Sequence, residues 1–151
     1  MKKLLSICML VVLAASCGSL DQKSQVGIKG NWTISSVTYP GSDYIKVTSF
    51  DVADSQCFVG SSWNFISNNN KGTMTINSSA SGCPSFSSPI VWTSTKEGNF
   101  TLKITEGEKA KRVTQGYVLK LQNQTESSFE LVDNVTVGGK TVAVVYQFSK
   151  I

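Results

Sequence analysis

Residues 63–76 read WNFISNNNKGTMTI, two short apolar segments separated by a run of asparagines. In Trp63 to Phe65 and again in Thr73 to Ile76, apolar and polar side chains alternate, as they do on a strand with one buried face. The intervening residues Asn68 to Gly72 tolerate the positive φ angles that tight turns require. This stretch therefore predicts a β-hairpin.

The same period-two pattern extends along the chain from Gly30 onward. In the first segment, Trp32, Ile34 and Ser36 alternate with Thr33 and Ser35. Further strands are predicted at residues 44–52, 63–66, 73–76, 89–95, 100–104, 113–122, 127–135 and 141–149, with turns at 96–99 and at Gly138-Gly139. Eight or nine short consecutive strands predict an all-β domain over 30–151, a small antiparallel up-and-down barrel of about eight strands, because closure removes exposed edges.

A leader precedes this domain. Met1-Lys2-Lys3 is a positive n-region, and Leu4 to Ala14 is an apolar run shorter than the roughly 20 residues that span a bilayer. We therefore expect residues 1–16 to be a cleaved signal peptide that directs the chain out of the cytoplasm.

The end of the leader resembles the lipobox of bacterial lipoproteins. Leu13-Ala14-Ala15-Ser16 precedes Cys17, and the resemblance implies cleavage before Cys17 and acylation of its thiol with diacylglycerol and palmitate-type chains. The alternative is an incidental thiol in an ordinary secretory leader. The anchor implies a place in the bacterial cell envelope, on the outer membrane rather than the inner, and the polar residues 17–29 are predicted to be a tether between lipid and barrel.

The charge balance of the secreted part is nearly neutral. Loss of Lys2 and Lys3 from the 14 basic residues leaves 12 against 10 acidic ones, a net charge of +2. This balance predicts no nucleic-acid partner.

Two further cysteines remain after cleavage, Cys57 and Cys83. Export to an oxidising compartment predicts a disulfide between them, which would stabilise the fold by about 3 to 4 kcal/mol. Two buried free thiols are the alternative, and a metal site is disfavoured because two thiolates without histidine leave a tetrahedral site incomplete.

The start of the first strand, Gly30-Asn31-Trp32, resembles the Gly-x-Trp motif of lipocalins. The lipocalin-like lipoproteins of Bacteroidota share a similar pattern of a cysteine, an aromatic-x-Phe strand, a polar glycine-containing turn and a closing strand. In this chain the pattern consists of Cys57, Trp63-Asn64-Phe65, Asn69-Asn70-Lys71-Gly72 and Tyr146 to Lys150.

The resemblance covers about 30–151 and implies a barrel whose narrow end is closed by Trp32 beneath a basic side chain from after the last strand. The arginine of the family is missing and Lys150 is the basic residue near that place, while the Thr-Asp-x-x-Tyr element is not found. Alternatively, Trp32 is an ordinary core residue at a strand start.

The absence of histidine from the sequence removes the commonest general base and metal ligand, and it excludes Ser-His and Cys-His nucleophile pairs. Glu106 and Glu108 could form a carboxylate pair, but beside Lys109, Lys111 and Arg112 they are typical of a solvated turn. We therefore predict no enzymatic activity, no catalytic residue, no cofactor and no metal.

Aromatic and aliphatic side chains on the inner faces could line a cavity for a small hydrophobic ligand, or could simply fill the barrel. The candidate ligand-binding residues are Trp63, Phe65, Trp92, Phe100, Tyr117, Tyr146 and Phe148, with Val142 and Val144 beside them. A ligand-binding lipoprotein is the favoured function. A surface interaction or inhibitor module that acts through the loops from Cys57 to Cys83 on a filled barrel is the alternative.

A transmembrane barrel is disfavoured by polar residues at alternate positions of strands such as Thr73 to Asn77.

Overall fold

The structure is a computed structural model that describes residues 20–42 and 45–151. The predicted leader, Cys17 and Tyr44 lie outside the described residues. The described helices are α1 (Gln22–Ile28) and two short 3₁₀ helices, Ser55–Phe58 and Ala110–Arg112. The described strands are β1 (Gly30–Thr38), β2 (Thr48–Ser49), β3 (Ala53–Asp54), β4 (Ser62–Ile66), β5 (Lys71–Ile76), β6 (Phe86–Ser94), β7 (Asn99–Ile104), β8 (Tyr117–Gln122), β9 (Ser128–Val137) and β10 (Lys140–Lys150).

Eight of these strands form a closed antiparallel barrel. Their order is β1-β10-β9-β8-β7-β6-β5-β4, and β4 pairs back with β1. β2 and β3 form a separate two-stranded hairpin in the connection between β1 and β4. Each barrel strand is paired on both sides, so the predicted up-and-down barrel of about eight strands is confirmed. The predicted hairpin is β4 and β5, with Trp63 opposite Met74.

β1 contains one residue more than a regular pairing with β10 allows. The register slips between Ile34 and Ser36, which makes Ser35 a β-bulge. A bulge moves every later side chain to the opposite face. The buried residue beyond it is therefore Val37, whereas simple alternation predicted Ser36 on the inner face.

Two predicted strands are shorter than expected. Among the described residues of the predicted strand 44–52, only Thr48–Ser49 form a strand, which ends there because Phe50 and Asp51 both have φ of 53°. The predicted strand 113–122 begins at Tyr117, and residues 113–116, which follow the 3₁₀ turn Ala110–Arg112, belong to no strand.

The two ends of the barrel differ. We call the end at which β1 begins the closed end; it carries the short turns 67–70, 95–98 and 123–127. The opposite end, which we call the mouth, carries the long connections 39–61, 77–85 and 105–116.

α1 covers the closed end. Asp21 caps the helix by accepting a hydrogen bond from the backbone N–H of Lys23 (3.2 Å), and Ile28 is fully buried against the core. Ser24 and Gln25 are buried as well, and Gln25 Oε1 accepts hydrogen bonds from Asn70 Nδ2 (2.7 Å) and from a backbone N–H of β6. These contacts make 22–28 part of the domain, whereas the sequence predicted a polar tether over 17–29.

Trp32 lies beneath this helix. Its Nε1 donates to the backbone carbonyl of Ile28 (2.6 Å), its ring meets the edge of Phe129 at 4.7 Å between centroids, and Lys150 Nζ lies 5.5 Å from the ring centroid. Gly30 has φ of +123°, a conformation that L side chains rarely adopt, which explains the glycine of the motif.

Candidate functional site

The half of the barrel interior near the closed end is filled by the strands themselves. Trp92 stacks on Phe100 (5.7 Å between ring centroids), Phe129 stacks on Phe148 (4.5 Å), and Phe65 contacts all four rings. Each of these side chains is at most 1% exposed. Aromatic packing therefore occupies this half.

The half near the mouth is filled differently. There the strands contribute the aromatic side chains of Trp63, Tyr117 and Tyr146 and the aliphatic side chains of Val37, Val142 and Val144. The ring of Phe50, which is only 6% exposed, lies among them and comes from the connection between β2 and β3, outside the barrel strands. We call residues 49–52 the plug loop.

Four aromatic side chains surround the ring of Phe50, which we call the plug. The Phe50 ring centroid lies 5.4 Å from Phe58, 6.4 Å from Trp63, 5.2 Å from Tyr117 and 5.4 Å from Tyr146. Edge-to-face and stacked aromatic pairs at such distances contribute about 0.5–1.5 kcal/mol each beyond the area they bury. Phe50 is thus a packed component of the mouth.

Hydrogen bonds hold the plug loop in an unfavourable backbone conformation. Left-handed φ angles at non-glycine residues such as Phe50 and Asp51 cost about 1–2 kcal/mol each. Opposing this cost, Asp51 Oδ2 accepts hydrogen bonds from Gln115 Nε2 and from the Tyr117 hydroxyl, and Ser49 Oγ is hydrogen-bonded to the Tyr146 hydroxyl. The loop is therefore held on one side by β10 and on the other by the start of β8 and the residues before it.

One carboxylate faces the same interior. Asp133 follows Phe129 and Leu131 on the inner face of β9 and lies opposite Val144 of β10. Burial raises the pKa of the Asp133 carboxyl, and no ion pair to it is formed within the described residues. A half-buried acid without a counter-ion could accept a hydrogen bond or a positive charge from a ligand.

The two tyrosines at the mouth stay protonated. Burial, followed by the charge of Asp51, raises the pKa of Tyr117 to about 12. The pKa of Tyr146 is raised further, again mainly by burial, although its hydrogen bond with Ser49 lowers it. Both hydroxyls are therefore neutral hydrogen-bonding groups at physiological pH.

The structure brings the predicted interior residues into one barrel, in two layers. Trp63, Tyr146 and half-buried Tyr117 lie around the plug, while the other predicted aromatics, Phe65, Trp92, Phe100 and Phe148, form the closed-end layer. Whether any of them binds a ligand stays a prediction.

Sequence reasoning missed Phe50 and Asp133. Phe50 was included in a predicted strand, and nothing in its neighbours signals a plug. Asp133 did carry a signal, because a carboxylate at an inner position between Leu131 and Val135 interrupts an apolar face.

The predicted disulfide between Cys57 and Cys83 is confirmed. It joins the 3₁₀ helix Ser55–Phe58 to the connection 77–85 at the mouth, with 5.4 Å between the two Cα atoms. Glu106 and Glu108 lie exposed in the connection 105–116, where Glu108 forms a 4.0 Å ion pair with exposed Arg112. The predicted solvated turn is confirmed.

Within residues 20–42 and 45–151, no helix is long and apolar enough to cross a bilayer, and no three His, Cys, Asp or Glu side chains come together as a metal site would require.

Comparisons with known proteins give structural similarity alone. No family model matches the chain, and no curated protein matches it. Among solved structures, bovine odorant-binding protein with a selenium-containing odorant is similar with a TM-score of 0.47 and 10% identity, over 84% of this chain and 72% of that chain. The same bovine protein with its natural ligand gives 0.46 and 11%, over 83% and 72%. Odorant Binding Protein OBP1 gives 0.46 and 13%, over 84% and 73%. Similarity at this level gives no information about function. The fold described above is established by the pairing of the barrel strands.

Proposed function

We propose that this protein is a lipid-anchored, lipocalin-like barrel that binds a small apolar ligand at its mouth, in the space that Phe50 fills in the described conformation. The observation that carries the proposal is the origin of the plug. The ring of Phe50, at the centre of this half of the barrel, belongs to a loop in a strained conformation, whereas the stacked rings of the closed-end half all come from barrel strands.

A loop can leave such a position more readily than a strand residue can. Displacing Phe50 would relieve two left-handed backbone conformations and expose the faces of Trp63, Tyr117 and Tyr146 to an incoming ligand. Only molecules from which Phe50 has been displaced can bind the ligand, so the apparent affinity equals the intrinsic affinity multiplied by the fraction of such molecules.

The surroundings of the plug define the ligand class. Its apolar part would be about one or two rings or a short hydrocarbon chain, to match the space of a phenylalanine side chain. A hydrogen-bond donor or an amine on the ligand could reach the uncompensated carboxylate of Asp133. A small aromatic or aliphatic amine fits both requirements.

The anchor at Cys17 and a place in the cell envelope, with the outer membrane favoured, belong to this proposal. They are supported by the lipobox-like residues before Cys17 and by the leader.

Binding is tested on the chain from Gly18, which keeps every described residue, with the two-ring fluorescent amine 1-naphthylamine, which is neutral at pH 7. We expect Phe50→Ala to bind the probe more tightly than the wild type, because no plug has to be displaced. Phe129→Ala is the matched control, since it removes the same group from a fully buried position in the closed-end half. Native mass spectrometry of the wild type should also reveal a small mass lost on denaturation.

Equal probe affinity in Phe50→Ala and Phe129→Ala would mean that any cavity attracts the probe. That result, or no binding by any form, would contradict the proposed site.

The second candidate, an interaction module, is favoured by one observation. Cys83 ties the connection 77–85, most of which is exposed, to buried Cys57. A constrained exposed loop loses less entropy when it binds a protein. Recovery of a partner from envelope extracts by the wild type, but not by a variant with residues 78–82 replaced by glycine and serine, would support this function.

A further inference from the structure

The closed end of the barrel carries a second surface, separate from the mouth. The chain enters the described domain there: Leu20 forms a β-bridge with Thr95, and the backbone N–H of Asp21 donates to the carbonyl of Ser94 (2.8 Å). The position of Leu20 is thereby fixed against the turn between β6 and β7.

This attachment limits the reach of the proposed anchor. Cys17 is three residues before Leu20, and three residues span at most about 10 Å when fully extended. An acyl group on Cys17 would therefore hold the closed end of the barrel, and not its mouth, against the bilayer.

Apolar side chains are exposed at this end. Leu20 is 47% exposed, Val26 on the outer side of α1 is 63% exposed, and Ile66 at the end of β4 is 39% exposed. Leu20 and Val26 line a groove of about 680 Å³ between α1 and the turn of the β4–β5 hairpin. Exposed aliphatic groups beside a groove are typical of an interaction surface.

Lysines surround the same groove. Lys23 and Lys96 line it, and Lys29 and Lys71 are exposed at the adjoining ends of α1 and β5. Asp21 also lines the groove, but its carboxylate caps α1. Long lysine side chains beside exposed aliphatic groups match an interface of anionic headgroups above acyl chains.

We propose that the closed end is a lipid-docking surface, at which Leu20 and Val26 enter the headgroup region of a bilayer while Lys23 and Lys96 contact anionic phospholipids. The barrel then stands with its mouth pointing away from the membrane. The position of the surface agrees with the proposed anchor at Cys17, but its apolar and basic groups do not depend on acylation.

The test uses the unacylated chain from Gly18, which keeps every described residue, so that acyl chains do not dominate partitioning. The intact mass of the processed protein, purified from cells that express the full chain, reports separately whether Cys17 is acylated. A polarity-sensitive dye is placed at Val26→Cys or, as the matched control at the mouth, at Lys140→Cys; both positions are exposed. The protein is added to vesicles of phosphatidylcholine with or without about one-third phosphatidylglycerol.

We expect a blue shift of the dye at position 26 on the anionic vesicles and none at position 140. The double variant Lys23→Gln/Lys96→Gln should lower partitioning onto anionic vesicles about thirtyfold, because each lysine near such a surface contributes about 1 kcal/mol. Thermal melts verify that the variants remain folded.

A shift at position 140 but not at 26, or partitioning that ignores both lipid charge and the lysine substitutions, would overturn the docking surface. An intact mass without acyl chains would instead refute the proposed anchor, and the dye would still report on docking. Probe binding at the mouth is measured without vesicles, so the ligand-binding proposal stands or fails separately.

Discussion

Replacing Phe50 with alanine removes a ring that is 6% exposed and contacts four other aromatic side chains. Truncation of a buried phenylalanine to alanine generally costs about 3–5 kcal/mol, and the flexibility of a loop site places Phe50→Ala near the low end of that range. Alanine at this position retains the left-handed backbone of φ 53°.

Glycine at the same position should be less harmful than alanine. In regular structure glycine is the less stable of the two by about 0.5–1 kcal/mol. At a left-handed φ the order reverses, because glycine avoids the steric cost of about 1–2 kcal/mol that a Cβ brings. We therefore expect Phe50→Gly to be more stable than Phe50→Ala by about 1 kcal/mol, although both lose the ring.

The measurement is urea denaturation with the disulfide intact, with the midpoint and the slope fitted for the wild type and both variants. A loss below about 1 kcal/mol in Phe50→Ala would show that the ring is not packed in the mouth. A glycine variant less stable than the alanine variant would refute the left-handed plug loop.

Three further outcomes are expected from other parts of the molecule. Burial raises the pKa of the Asp133 carboxyl above its ordinary value of 3.8, so ionisation of this group opposes folding. We therefore expect Asp133→Asn to be more stable than the wild type at pH 7, and we expect this difference in stability to disappear as the pH falls through the raised pKa toward 3.8. Urea denaturation of both proteins across this pH range measures the difference. The double variant Cys57→Ser/Cys83→Ser should lose about 3 to 4 kcal/mol of stability, and an equal stability of reduced and oxidised wild type would contradict this. Trp32→Phe leaves the buried carbonyl of Ile28 without its hydrogen-bond donor and should lower the free energy of unfolding by about 1–3 kcal/mol, as measured by thermal or urea denaturation. Unchanged stability would show that this hydrogen bond does not hold the closed end together.

Much of the barrel follows from local sequence. Alternating residues such as Trp63 to Phe65, the positive-φ turn residues around Asn70 and the glycine pair before Lys140 predict strands and hairpins whose order in the chain is also their order in the barrel. The disulfide was predicted from the expected export of the chain, which would leave two cysteines in an oxidising compartment.

α1 shows why part of the domain was missed. Ser24 and Gln25 are polar, so a pattern based on apolar side chains places their segment in solvent. They are buried because Ser24 Oγ is hydrogen-bonded to Ser94 Oγ (2.7 Å), a residue 70 positions away, and because Gln25 bonds with Asn70. Such pairing compensates for burial and leaves no trace in the local pattern.

The sequence by itself determined the class of fold, the order of the barrel strands and their approximate number, because these depend on side-chain alternation and turn residues, and it favoured the disulfide over two free thiols. Only the tertiary structure decided the bulge at Ser35, the helix over the closed end and the entry of Phe50 into the mouth. Each of these depends on the register or packing of segments far apart in the chain, and the free energy that selects it exists only once the barrel has closed.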